Sequence, residues 1–188
     1  MRSSNEILIS QSAIKNNINY IKSIIGPNVR FSSVVKANAY GHGLEYFVPV
    51  AEQNGIDHFA VFSYSEAIRV HKIVSEKTDV MIMGWIDPEN ISDAIAKNIE
   101  FFVFNEERLQ QAIHSAKVLG IPARIHVELE TGLNRTGFES DLVKNVIKTI
   151  NENKEHLMIK GICSHLAGPE SIANHVRVKH QIKKFKQL

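Results

Sequence analysis

Six times along its 188 residues the chain passes from a short apolar, β-rich run into a stretch of helical period. That alternation restricts it to parallel βα units and excludes a sandwich. The six runs are Val29 to Val35, His58 to Phe62, Val80 to Gly84, Phe101 to Phe104, Ala123 to Leu129 and Met158 to Ser164. Most are almost continuously apolar, as strands covered on both faces are. In the first expected helix Ile14, Ile18, Ile21 and Ile25 form a stripe, Ser10 or Ser12 can cap its start, and Gly26-Pro27 stops it. Asn105 opens another, with Leu109, Ala112, Ile113 and Ala116 on one face and Gly120 at its end. Further helices fit Leu44 to Gln53, Ser65 to Val74, Pro88 to Lys97, Ser140 to Asn151 and Ser171 to Phe185. With no internal repeat and no long linker, one continuous α/β domain is expected.

Composition removes several function classes. Lys and Arg number 22 against 20 Asp and Glu, so net charge gives no argument for nucleic acid or a membrane surface. The basic residues Lys179, Lys183, Lys184 and Lys186 keep helical spacing with apolar neighbours and read as a solvated helix face. One cysteine, Cys163, allows no intrachain disulfide, and no N-terminal segment reads as a signal peptide. No apolar run approaches the roughly 20 residues of a membrane span, so a cytoplasmic setting is the expectation. The nine histidines form no His-Glu-x-x-His or Cys-x-x-Cys set, so no metal site is expected.

The segment Val34-Val35-Lys36-Ala37-Asn38-Ala39-Tyr40-Gly41-His42-Gly43 places a lysine where an apolar run meets a glycine-flanked loop. A lysine at the end of a buried strand is desolvated, which makes its amine a usable nucleophile or base. Gly41 and Gly43 permit a tight loop, and Tyr40 offers a hydroxyl on an apolar ring. The segment resembles the pyridoxal 5'-phosphate lysine signature of the alanine racemase family. The resemblance implies a TIM (β/α)8-type barrel in which Lys36 holds the cofactor as an internal aldimine and Tyr40 hydrogen-bonds its phosphate. Such barrels usually take about 250 residues. Six βα units therefore predict an incomplete barrel, with residues 1–188 forming the N-terminal part of the barrel domain and the family's C-terminal β-domain absent. Glu6 to Ile9 would be a strand belonging to that missing domain.

Two further segments extend the resemblance. Glu128-Leu129-Glu130-Thr131-Gly132-Leu133-Asn134-Arg135-Thr136-Gly137-Phe138 puts an arginine in a glycine-bounded loop after a strand, where a guanidinium suits a carboxylate. It is similar to the family's Asp-Thr-Gly-Met-x-Arg-x-Gly motif, which implies that Arg135 lies beside the cofactor's phenolic oxygen and the substrate carboxylate. Glu130 departs from the usual aspartate. Glu128 stands where many members carry a carbamylated lysine, so its own negative charge is expected to orient Arg135. The stretch Ser164-His165-Leu166-Ala167 resembles the family's Thr-His-Phe-Ala, with His165 packing near the cofactor ring.

What the resemblance implies is an isomerase that interconverts L- and D-alanine, with Lys36 as the D-face base, to supply D-alanine for cell-wall peptidoglycan. The opposite base is a tyrosine of a partner subunit and has no counterpart here. Full-length members are homodimers, and this stretch alone is expected to be inactive. Alternatives on the same barrel are a broad-specificity racemase or an amino-acid decarboxylase; a non-catalytic pyridoxal phosphate-binding domain is another.

Overall fold

A computed structural model of the chain describes residues 6–168 and 170–188. The chain forms two compact units, one ending at Ile86 and the other beginning at Asp87. The first holds α1 (Gln11–Ile25), β1 (Ser33–Val34), α2 (Lys36–Tyr40), α3 (Leu44–Gln53), β2 (His58–Val61), α4 (Tyr64–His71) and β3 (Asp79–Ile82). The second holds α5 (Pro88–Ala96), β4 (Glu100–Val103), α6 (Glu106–Leu119), β5 (Ala123–Glu128), α7 (Val143–Glu152), β6 (Leu157–Cys163), a 3-10 turn (Ile172–Asn174) and α8 (His175–Phe185).

Strand pairing is parallel in both units, as the sequence predicts. In the first, Phe59 lies opposite Ser33 on one side and Val80 on the other. In the second, Ile125 lies between Phe101 and Ile159, and a bulge after it shifts His126 into register with Gly161. Every residue of β2 is buried. Ser10 caps α1 by accepting from the Ala13 N–H, and Asn105 does the same for Arg108 at the start of α6. Each cap satisfies one of the four N–H groups a helix start leaves open. Gly120 ends α6 in the left-handed region, as expected.

Several expectations need correction. The first strand is expected over Val29 to Val35, but only Ser33 and Val34 form it. Arg30 instead turns to Asp57 (3.1 Å) and Asp79 (2.7 Å), and Val29 is exposed. Glu6 to Ile9 does not form a strand. Of the α1 stripe only Ile18 is fully buried. Helix α7 begins at Val143 rather than Ser140, and α8 at His175 rather than Ser171.

The second unit carries more buried charge than its sequence suggests. Glu100 opens β4 with its side chain 1% exposed, held by Arg124 (2.7 Å), His126 (2.6 Å) and Lys160 (3.5 Å). Arg108 on α6 is equally buried, its guanidinium stacked 4.5 Å over the Phe104 ring, and burial brings its pKa down to about 10. By contrast β6 keeps Met158, Ile159 and Ile162 exposed. A groove of about 470 Å³ lies there, lined by Leu129, Val146, Ile150, Ile159, Ile162 and Phe185 among others.

Candidate active site

The lysine segment is built from the end of β1. Val35 is buried and its N–H still bonds to the Ala60 carbonyl (2.8 Å), so the chain enters the next residues from a fixed edge. Lys36 follows and is half-buried. The desolvation expected of it is therefore partial. From there α2 winds the wrong way: Ala37, Asn38, Ala39 and Tyr40 have φ of 51°, 56°, 54° and 53°. A left-handed conformation costs an L-residue about 1–2 kcal/mol, and only asparagine among these four visits it readily. Lys36 and Tyr40 thus bracket one left-handed turn, with Tyr40 largely exposed.

Neighbouring elements hold that turn. The Asn38 N–H donates to Glu66 Oε1 (3.2 Å), its carbonyl accepts from Gly43 N–H (2.9 Å), and its Oδ1 accepts from Leu44 N–H (3.2 Å) and Arg69 Nη2 (2.8 Å). The other Glu66 oxygen accepts from the N–H groups of Phe62 (3.1 Å) and Ser63 (3.4 Å). Arg69 also makes a two-pronged contact with Glu45, at 2.9 and 2.8 Å. His42 Nδ1 lies 2.8 Å from the Ala39 carbonyl oxygen. A larger hollow, about 820 Å³, sits at the amino end of β1 around Val29 and Arg30, away from Lys36.

In the second unit the loop after β5 is folded around one carboxylate. Glu130 is buried and accepts from the backbone N–H groups of Gly132, Asn134 (2.8 Å) and Arg135 (3.3 Å). Gly137 lets the loop return against its own strand. Its φ is +118°, and a Cβ there would meet the Glu130 backbone nitrogen at 2.6 Å. The return is closed by Phe138 N–H donating to the Glu128 carbonyl (2.8 Å) and Glu130 N–H to the Phe138 carbonyl (3.0 Å). Arg135 itself is exposed at the tip.

Glu128 ends β5 and is buried. Burial pushes its carboxyl above the usual range, against the hydrogen bond with Thr136 and the charge of Arg135, while Glu130 adds to the rise. The negative charge expected there is therefore harder to form than the sequence suggests. Burial, with Glu128 nearby, also drives the Cys163 thiol up to about 12, which leaves it without nucleophilic character. His165 follows β6 and is exposed, with its carbonyl accepting from Gln181 Nε2 (2.9 Å).

Sequence reasoning missed Gln181. It is 1% exposed on α8, and besides His165 it accepts from Ala167 N–H (2.8 Å) and donates to Thr131 Oγ1 (3.4 Å). Thr131 in turn lies 2.6 Å from Ser164 Oγ, so the loops after β5 and β6 are pinned to each other and to α8. Arg177 adds bonds to the carbonyls of Gly132 (2.7 Å) and Leu133 (3.1 Å). Lys36 and Tyr40 are brought together in one unit; in the other Glu128 ends β5, Arg135 follows it, and His165 follows the neighbouring β6.

The sequence matches the family model described as alanine racemase, N-terminal domain, over residues 9–188. It is 31% identical over 184 residues to an alanine racemase of Leptospira interrogans serogroup Icterohaemorrhagiae serovar Lai, covering 96% of this chain and 45% of that protein. A solved alanine racemase of Clostridium difficile 630 in complex with cycloserine is 26% identical and superposes with a TM-score of 0.84 over 93% of this chain and 48% of its own. A histidine racemase from Leuconostoc mesenteroides subsp. sake shares the fold, at 24% identity and a TM-score of 0.84 over 94% of this chain and 46% of its own. The chain thus spans a little under half the length of the relatives it matches. Its six parallel βα units are those of a TIM-like barrel domain, and a match running from residue 9 to residue 188 means that the chain belongs to the alanine racemase family, as its N-terminal domain.

Proposed function

We propose that the chain is the barrel portion of a pyridoxal 5'-phosphate-dependent racemase acting on alanine, with Lys36, Tyr40, Arg135 and His165 as its site residues. The observation that carries this reading is that Lys36 leaves the carboxyl end of β1 directly into the turn that also bears Tyr40. The donor set fits the cofactor: an amine for its aldehyde, a phenol hydroxyl for its phosphate and a guanidinium for an anionic oxygen. Bound there, the cofactor supplies an electron sink for the charge left on the substrate Cα when a proton is removed.

The residues of the chain do the rest. Lys36 Nζ takes or returns the Cα proton on the D-face. Tyr40 anchors the phosphate, and Arg135 fixes the substrate carboxylate. His165 flanks the cofactor ring, and Glu128, whose ionisation burial opposes, orients Arg135. A base for the opposite face lies outside this set of residues, and a partner subunit's tyrosine would provide it in a homodimer. A cytoplasmic role in supplying D-alanine to the cell wall completes the reading. Among the described residues no helix is long and apolar enough to cross a membrane.

The test is an absorbance titration of the chain with pyridoxal 5'-phosphate, followed by borohydride reduction and peptide mapping, with Lys36→Ala as control. Reduced label on Lys36 is expected. Label spread evenly over the lysines of a folded sample would sink the reading.

A further inference from the structure

We propose that Glu66 and Arg69, on α4, are positioning residues that set the Lys36 amine by clamping the left-handed turn through Asn38. The inference rests on the cofactor role of Lys36 given above. Its first support is that three of the four residues of the turn, Ala37, Ala39 and Tyr40, disfavour positive φ, so the local hydrogen bonds of the turn work against backbone preference and gain from a hold outside the segment.

Asn38 is where the hold is applied. Its N–H, carbonyl and Oδ1 are all engaged, and two of these bonds reach α4, 28 and 31 residues further along the chain. Glu66 does more than its own helix requires. It closes the capping box with Ser63, a purely local task needing one carboxylate oxygen on the backbone of the cap. The second oxygen crosses to Asn38, so a single carboxylate ties the loop after β1 to the loop after β2. Arg69 works one helical turn further on, bonding the Asn38 side chain while Glu45 holds its guanidinium from α3.

The consequence for chemistry is positional. Lys36 is the residue whose Nζ would hold the cofactor through its aldehyde, an exchange that would release water and involve no oxidation or reduction. That exchange depends on the approach of the amine, and a misplacement of about 1 Å can cost on the order of 100-fold. Release of Asn38 would let the four residues after Lys36 return to ordinary φ and carry the lysine backbone with them.

The experiment compares Glu66→Ala and Arg69→Ala with Glu52→Ala in the same chain. Glu52 is a matched control: its carboxylate also braces a loop, accepting from Ser75 N–H (2.9 Å), Ser75 Oγ (2.9 Å) and Thr78 Oγ1 (2.5 Å), without touching the Lys36 turn. Two readouts are taken. One is the rate of borohydride-trapped cofactor label at Lys36. The other, free of cofactor, is the rate of Lys36 acetylation by acetic anhydride at one pH, relative to that of the exposed Lys148 as internal standard. Glu66→Ala is expected to slow cofactor label at Lys36 about tenfold and, by releasing the half-buried lysine, to raise its relative acetylation rate towards that of Lys148, with Arg69→Ala acting in the same direction. Glu52→Ala leaves both unchanged. Equal effects from Glu52→Ala and Glu66→Ala, or no change of the relative acetylation rate in either α4 variant, would overturn the clamp. Cofactor label absent from Lys36 in the parent chain, with the acetylation rate still responding to Glu66→Ala, would overturn the cofactor reading and leave the clamp standing. If Glu66→Ala does not fold, Arg69→Ala decides alone.

Discussion

At the scale of single residues, Glu128 combines burial with a neighbouring cation, and burial dominates. Its carboxyl is raised relative to the unfolded chain, so the folded state favours its protonated form. The stabilising contribution is then fully present below the ordinary carboxylate pKa and is lost as pH rises through the raised value. Glu128→Gln keeps the shape and an acceptor for Thr136 but cannot ionise. It should therefore be at least as stable as the parent at neutral pH, with the difference shrinking as pH falls towards about 4. Denaturant unfolding of both proteins across that range checks the sign; a variant less stable at neutral pH by more than about 1 kcal/mol would mean that the Arg135 charge outweighs desolvation. Lys36, Tyr40, Arg135 and His165 could be proposed from the sequence because each stands inside a contiguous motif. Glu66 and Gln181 were not, because their meaning comes from partners 28 and 50 residues away. Nor did sequence reveal that Glu130 gathers three backbone N–H groups, a role that depends on how the loop returns at Gly137.

Among the elements, the periodic helices were the most readable: α3 spans Leu44–Gln53 as expected, and the caps at Ser10 and Asn105 form. Strand ends were less so. Arg30 leaves the ladder for two aspartates, and Glu100 opens β4 because Arg124, Lys160 and His126 surround it, which no local β-preference could indicate. Left-handed α2 was invisible, since nothing in Ala37-Asn38-Ala39-Tyr40 beyond the asparagine favours it. That handedness gives a prediction of unusual sign. Glycine in a right-handed helix interior costs roughly 1 kcal/mol relative to alanine. Ala37→Gly should instead be neutral or stabilising by up to about 1 kcal/mol, because relief at φ 51° offsets the extra freedom of the unfolded chain. Thermal unfolding measures it; a loss of several degrees would show that the Ala37 methyl packs against something the turn needs.

For the whole molecule the informative feature is β6. Among the described residues it pairs with β5 alone, and Met158, Ile159 and Ile162 stay exposed beside an apolar groove. An open apolar edge is a template for other chains. The 188-residue chain should therefore associate with rising concentration, and Ile162→Lys should shift it towards monomer in sedimentation velocity. A parent monomeric at all concentrations would mean the edge is protected. The sequence already implied such an edge, from six strands where the family's barrel has eight, but not which side chains would face outward. The Lys36 turn has a consequence in time as well as in space. Because only the asparagine among its residues favours left-handed backbone, the turn is a poor nucleus and is expected to take shape after β2 and α4 have come together to present Glu66. On that order the turn after Lys36 is expected to form late in folding, after the scaffold that holds it.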